Sequence, residues 1–377
     1  IAGWVPTNRV AELRSAVEEA AGGRVTFEES PPDVPGASHK IPTLLKHSGL
    51  LRPFEKLVAT YGVPGYREID PTPLVGVTFV LMFGVMFGDL GHGLVLALLG
   101  ALLVLRAIPA LASQAETGVI LLACGLSSAV FGLLYGNLFG LEDVIPALWI
   151  RPMRDIWTLL GASVVFGVIV LNIGFGCRLA TAIREDRVLE AIFDKNGLVG
   201  LLLYWCLGGI IVLIALGRHL PGWLDALTVA LALSLFFAEP LTRLVSGVRP
   251  LVHGNTAELF VQAFFELFEA LISYLSNTLS YVRLGAFAVA HAGLSTVVFL
   301  LADMLSSGPT GGVRRLLIVA LGNIVVIGFE GLIVGIQTLR LEYYELFGKF
   351  YKGDGTPFKP LTLPRMQSSP NTVIKER

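Results

Sequence analysis

Apolar residues crowd together from Leu74 onward, broken by short polar interruptions, whereas the residues before Asp70 mix polar and apolar positions. A bilayer core of about 30 Å takes about 20 helical residues to cross. Runs near 74–88, 91–108, 117–138, 157–180, 197–217, 223–243, 256–305 and 312–347 predict about eight transmembrane helices. GDLGHG (Gly88–Gly93) reads as a tight turn between the first two. The last two runs are longer than a bilayer requires, so they tilt steeply or project into water.

The opening segment predicts a different kind of structure. Asn8–Ala21 (NRVAELRSAVEEAA) has helical apolar spacing, with Thr7 as a cap and Gly22-Gly23 as a stop. Arg24–Glu29 reads as a short strand, and IAGWVP as a strand arriving from an upstream part. A Pro-rich connector (Ser30–Pro42), an amphipathic piece (Leu44–Tyr61) and the breaker EIDPTP (Glu68–Pro73) follow. The expectation is an all-α polytopic membrane protein with two long tilted C-terminal helices and a small N-terminal α/β soluble remnant. Its parts are an arm and linker over 1–72, a transmembrane domain over 73–347 and a tail over 348–377.

Composition agrees with a membrane protein. The chain is 54% hydrophobic and only 15% charged, against about 25% charged in soluble domains. A formal net charge of -1 argues against nucleic acid as a partner. Cys124, Cys177 and Cys206 lie in apolar stretches without metal-ligand spacing and read as small buried hydrophobes. No GxxxxGK[ST] nucleotide loop is present, so ATP chemistry belongs elsewhere. An even number of helices puts both ends on one side. Arg106, Arg178, Arg184, Arg187, Lys195, Arg243 and Arg249 on one set of loops outnumber Arg151, Arg154, Arg218, Arg314 and Arg315 on the other, which favours cytoplasmic termini.

The polar residues inside the apolar runs are ordered. Gln262, Glu266, Glu269, Ser273, Ser276, Ser280 and Arg283 follow one another at steps of four and three. Such steps hold one helix face, drifting about 20° per heptad. His291 lies about 80° around from Arg283 and roughly 12 Å along. In the last run, Asn323, Glu330 and Gln337 are seven apart, and Arg340 and Tyr344 continue the seam. Glycines 322, 328, 331 and 335 between them permit close approach of another helix. The serines suit ordinary interhelical hydrogen bonding.

Arg283 does not suit that role. A charge at bilayer depth costs about 2.5–3.5 kcal/mol on insertion scales. Pairing with Glu330 would offset the cost, but Ser or Asn glues helices more cheaply. Arginine also never releases its proton at ordinary pH. Glutamates and histidine relay protons; a fixed cation between two wet, carboxylate-lined half-paths gates them. Asp89 and His92 flank glycines in the turn and read either as a local cap or as a wet channel mouth.

These residues carry a family resemblance. SYVRLGAFAVAHAGLS (Ser280–Ser295) resembles the seventh-helix signature of the membrane-embedded stator subunit, called a or I, of rotary V-type and V/A-type ATPases. FEGLIVGIQTLRLEYYELFGKFYKGDG (Phe329–Gly355) resembles its final helix. DPTP (Asp70–Pro73), MFGDLGHG (Met86–Gly93) and YGNLFG (Tyr135–Gly140) resemble its first three membrane helices, and GWVP (Gly3–Pro6) and YGVPGY (Tyr61–Tyr66) the end of its cytoplasmic arm.

The resemblance implies a proton translocator beside a ring of proteolipids, with peripheral-stalk subunits and a central-stalk adaptor as further partners, and no cofactor or metal in this chain. It places the essential arginine at Arg283, a second at Arg340, and acidic path positions at Glu330 and Glu269. It places the family histidine at His291 and an aspartate of the non-cytoplasmic mouth at Asp89; the polar seams add Glu266, Ser276, Ser280, Asn323 and Gln337 as path candidates, and the turn adds His92. Gln337 and Asn277 stand where eukaryotic members carry histidines, the first removing a titratable relay, and short loops with Gly285 match the prokaryotic type, in a plasma membrane with both termini cytoplasmic. The tail Leu361–Arg377 matches nothing in the family.

A secondary active transporter with a midplane ion site is the alternative, but it calls for related halves, and no convincing repeat is present. A voltage sensor needs arginine at every third position, and Arg283 stands alone on its helix.

Overall fold

The computed structural model describes residues 3–22, 24–29, 41–47, 49–142, 144–247, 256–306 and 311–360. Ile1–Ala2, most of the Pro-rich connector, Arg249 and the Leu361–Arg377 tail lie outside them. The helices are α1 (Val10–Ala20), α2 (Arg52–Tyr61), α3 (Thr72–Met86), α4 (Leu90–Val104), α5 (Ala115–Tyr135), α6 (Ile156–Arg184), α7 (Val188–Phe193), α8 (Leu198–Ala215), α9 (Gly222–Phe236), α10 (Ala238–Val245), α11 (Thr256–Ser280), α12 (Val282–Leu305), α13 (Gly311–Val325), α14 (Gly331–Arg340) and α15 (Phe347–Phe350). Single π-helical turns at Val326–Glu330 and Leu341–Leu346 join α13, α14 and α15 into one rod.

Every predicted apolar run is helical, but their lengths differ. Pro109–Tyr135, Ile156–Arg184, Ala191–Ala215, Leu259–Leu305 and Gly311–Phe350 are long and apolar enough to cross a membrane. α9 and α10 qualify only as a pair, bent by 77°. α3 and α4 have 15 residues each, about 22 Å of rise, too short to span a full bilayer straight. The expected eight full spans are therefore five or six long helices plus two short ones. The two last rods have 47 and 40 residues, as their runs predicted.

The N-terminal remnant differs from expectation. Residues 24–29 form no strand, and neither do Gly3–Pro6. Thr7 opens a 3-10 turn (Thr7–Arg9) rather than capping α1, and Gly22 ends the segment in the left-handed region at φ +59°. The amphipathic piece is helical only over Arg52–Tyr61. Among the described residues the one sheet is a parallel pair, β1 (Pro42–Thr43) on β2 (Thr356–Pro357). That pairing, the Tyr351 hydroxyl donating to Gly62 O at 2.7 Å, and Tyr343 donating to Leu57 O at 2.7 Å fold the C-terminal end back onto the arm. The tail boundary expected at 347/348 falls inside a helix whose Phe347, Lys349 and Phe350 are buried.

Two kinds of contact hold the bundle. Aromatic and aliphatic side chains of α3, α6, α8, α12 and the last rod share one core around Met82, Met86, Phe175, Tyr281, Leu284 and Phe347. α4 and α5 instead pack backbone to backbone. A methyl group on Gly125 would sit 2.4 Å from Ala97 N, one on Gly100 2.4 Å from Leu122 N, and one on Gly132 2.1 Å from Leu90 N. Gly118, Gly125 and Gly132 are seven apart, which keeps them on one face. Small residues are what allow helices to approach this closely where no hydrophobic effect drives them together. Gly125→Ala is expected to destabilise the fold by about 1–3 kcal/mol, read in a reversible denaturant titration. Gly161→Ala, where nothing lies within 4 Å inside α6, is expected to cost nothing and to stabilise by up to about 1 kcal/mol through helix propensity.

Candidate functional site

The turn before α4 builds the first half of the site. Asp89 adopts an extended backbone and caps α4, its Oδ1 accepting from His92 N at 2.9 Å. The same carboxylate accepts from Phe139 N at 3.0 Å and from Gly140 N at 2.7 Å. Gly136 and Gly140, both at positive φ, turn the YGNLFG loop so that its N–H groups reach Asp89. The aspartate is thus a fully buried cap and loop anchor.

Three elements meet above it. His92 sits on α4, His291 on α12, and Asn323 and Glu330 on the last rod. His92 Nε2 lies 2.5 Å from Asn323 Oδ1, and His92 Nδ1 lies 3.4 Å from His291 Nε2. His291 Nδ1 lies 2.9 Å from Glu330 Oε2. Both histidines and Glu330 are buried, and the Phe87 ring packs 4.6 Å from that of His291. Five residues singled out in the sequence are therefore brought into one chain of contacts. One expectation is corrected here: Glu330 partners His291, not Arg283.

Arg283 belongs to a second group. It is half-buried, its Nη1 has no hydrogen-bond partner, and Arg340 and Glu345 lie within electrostatic reach. Glu345 interacts with Ser280 and with both guanidinium groups. Arg340 is exposed. The helix carrying the polar stripe tightens at Tyr281, whose N–H donates to Thr278 O and whose carbonyl accepts from Leu284 N, both three residues away. Tyr281 is buried against α6 at Gly167, where a methyl group would meet its ring at 2.4 Å.

Other predicted residues stay apart from both groups. Glu269 forms an ion pair with Lys195 at 2.7 Å, and Glu266 accepts from Gln262 at 2.8 Å. Ser276 is exposed in an open groove with Phe268, Ile272 and Asn277. Glu269 is fourteen residues before Arg283, about 21 Å along a helix. Gln337 Oε1 is buried without a partner; it lies two turns beyond Glu330 and outside the histidine contacts. Thus the stripe over α11 approaches Arg283 along a surface, while the histidine group lies inside the protein.

By sequence Glu342 and Glu345 suit contact with water or with a neighbouring protein, and Lys349 belongs with Lys352 and Lys359 to a basic tail. All three are buried. Their spacing of three and four does mark one helix face, so the signal was present. Lys349 Nζ stands 5.3 Å from the Phe175 ring centroid and 5.1 Å from that of Tyr274, a cation–π arrangement. Glu342 Oε1 lies 2.5 Å from Thr78 Oγ1, which also lies 2.8 Å from Leu74 O. Thr78 has one hydroxyl proton for these two oxygens; a protonated Glu342 donating to Thr78 satisfies both. Nothing in an apolar run marked Thr78 as its partner.

Long apolar helices around buried polar groups define an all-α polytopic membrane protein. A sequence profile described as the V-type ATPase 116kDa subunit family matches residues 1–145 and 250–363, and the chain belongs to that family. It is 29% identical over 372 residues to the A-type ATP synthase subunit I of Pyrococcus horikoshii, covering 96% of this chain and 53% of that protein. It is 26% identical over 398 residues to the subunit of the same name from Methanocaldococcus jannaschii, covering 97% and 55%. A 165-residue portion is 36% identical to the V-type ATP synthase subunit I 2 of Treponema pallidum, covering 43% and 36%. The chain spans about half the length of the two archaeal relatives.

Thr78→Val removes the hydrogen-bond partner of Glu342 at nearly constant volume. It is expected to cost about 1–3 kcal/mol, the penalty for a buried polar group left unsatisfied, and Thr78→Ser is expected to restore most of it. Reversible unfolding in detergent checks both.

Proposed function

We propose that this chain is the stator proton-channel part of a rotary ATPase, loading and unloading protons on the carboxylates of a rotating proteolipid ring. In this reading the ring is held beside the two long rods, and peripheral-stalk and central-stalk adaptor subunits complete the assembly. The membrane is a prokaryotic plasma membrane with both termini cytoplasmic. Coupling to ATP synthesis or hydrolysis occurs through those other subunits.

The observation that carries the reading is Arg283 near Arg340, with Glu345 as their shared nearby carboxylate. Two fixed cations and one carboxylate leave positive charge uncompensated, and one of the cations is exposed. An approaching acid on a neighbouring subunit is the missing counter-charge. Opposite charges about 4 Å apart gain about 4 kcal/mol at an effective dielectric near 20, equivalent to about three pKa units before desolvation is subtracted. That is enough to discharge a carboxylic acid as it arrives and to bar a proton from crossing between half-paths directly.

The surroundings support the same reading. The last rod is the least covered of the long helices, with 17% of its apolar window buried against 28–33% for the others. Leu316, Leu321, Phe329, Leu332, Ile336 and Tyr344 along it are exposed, offering an apolar face to ring helices. The Asp89–His92–His291–Glu330 group supplies one buried half-path on one side of Arg283. The stripe through Glu266, Glu269, Ser276 and Ser280 supplies the other. The two π turns fall at Glu330 and directly after Arg340, and such turns gather at functional positions.

Arg283→Gln is expected to abolish ATP-driven proton uptake by reconstituted vesicles while the complex still assembles; uptake at the wild-type rate would remove the gating role. Glu330→Ala is expected to slow uptake more than Gln337→Ala, because Glu330 bonds His291 and Gln337 bonds neither histidine. Equal wild-type rates in both would count against a path through the last rod.

A further inference from the structure

We propose that Asn323 is a positioning residue: it fixes the tautomer of His92, so that His92, His291 and Glu330 together hold one transferable proton. This rests on the half-path proposed above and gives it a proton store. Asn323 Nδ2 donates to Val319 O at 2.7 Å, which turns the amide oxygen toward His92 Nε2, 2.5 Å away. The reversed amide would set its oxygen against that carbonyl. An amide oxygen only accepts, so Nε2 of His92 carries a proton. His92 therefore exchanges protons through Nδ1, on the side of His291.

Three contacts follow one another. His92 Nε2 meets Asn323, His92 Nδ1 meets His291 Nε2 at 3.4 Å, and His291 Nδ1 meets Glu330 Oε2 at 2.9 Å. Each contact needs one hydrogen, since two bare lone pairs facing each other repel. Two neutral imidazoles bring two hydrogens. The third is an additional proton, and it makes the three side chains uncharged as a whole. Either Glu330 is the acid and both histidines are neutral, or Glu330 is ionised and one histidine is the cation. Burial favours that count, because net charge is costly where Phe87 and Phe139 rings pack 4.6 Å from His291 and 5.5 Å from His92 respectively. The nearby Asp89 carboxylate, 3.7 Å from His92 Nδ1, is satisfied separately by three N–H groups.

The stored proton moves along these contacts without any side chain turning. Glu330 gives its proton to His291 Nδ1 as His291 gives its Nε2 proton to His92 Nδ1. Glu330 then carries the negative charge, His291 is neutral as the other tautomer, and His92 carries the positive charge beside Asp89. Proton number and total charge are the same before and after. Without the Asn323 acceptor, a neutral His92 would be free to carry its proton on Nδ1. Two N–H groups would then face each other between the rings, and the line from Glu330 to His92 would be closed. The amide thus takes no proton itself and decides which nitrogen of its neighbour can.

The test uses the full-length protein with isotope-labelled histidine, purified from membranes and returned to lipid vesicles. Nitrogen NMR shifts separate bare from protonated ring nitrogens. The signals of His92 and His291 are those missing from the His92→Gln and His291→Gln variants. The wild type is expected to show a protonated Nε2 on His92 and one proton on the two facing nitrogens. Asn323→Leu is expected to mix the His92 tautomers and to slow proton uptake by the reconstituted complex by about tenfold or more, as a misoriented proton-transfer group does. Asn323→Asp keeps an oxygen for Nε2 and is expected to retain the wild-type tautomer. A bare Nε2 on His92 or two bare facing nitrogens in the wild type, tautomers unchanged in Asn323→Leu, or uptake by that variant at the wild-type rate overturns the proposal. The nitrogen signals need no turnover, so they stand apart from the channel reading, which fails if Arg283→Gln pumps normally.

Discussion

The hydrogen bond between His291 and Glu330 joins two rods that otherwise touch mainly through apolar side chains. A carboxylate away from water costs several kcal/mol unless a partner satisfies it. Glu330 meets that condition with an imidazole whose other nitrogen faces His92. His92 in turn is held by Asn323, on the same rod as Glu330. The arrangement closes on itself: last rod, α12, α4 and last rod again. Removing any member strands the others in an apolar interior, so the position of the last rod and the protonation geometry of the histidines are one problem.

Close backbone packing makes that arrangement possible. Asp89 can collect three N–H groups because Gly132 lets α5 press against residues 89 and 90. The loop that follows α5 then delivers Phe139 and Gly140. Gly140 meets Ser295 on α12, where a methyl group would lie 2.2 Å from Ser295 Cβ. The glycines thus act at a distance on the chemistry. They carry no polar group, yet they set how near the short helices and α12 come to the buried aspartate.

The region of Arg283 follows the opposite logic. There, among the described residues, one carboxylate, Glu345, faces two guanidinium groups, and the polar stripe leading to them stays on the surface. A protein that satisfies the Asp89 carboxylate with three N–H groups and leaves a guanidinium partly unpaired distinguishes structural charge from available charge. The belt of exposed leucine, isoleucine and phenylalanine on the same rods is compatible only with lipid or a partner helix.

Much of this was written in the order of residues. Apolar run lengths marked where the membrane helices lie and which two rods are overlong, because crossing hydrocarbon demands helices of a given length; that two of the eight runs are short helices and one is a bent pair they did not show. Steps of three, four and seven marked Arg283, Glu330 and Asn323 as seam residues, because helical period maps spacing onto a face. His291 stood out as a titratable group in an apolar stretch. Spacing within one helix could not say which carboxylate meets which cation. Glu330 meets His291, and Glu269 meets Lys195 from a segment 74 residues away. Thr78 meets Glu342 across 264 residues. Those choices, the buried cap made by Asp89 and the break at Tyr281 were settled only when separate helices packed, since the energy of a buried charge depends on what lies across from it rather than on what precedes it in the chain.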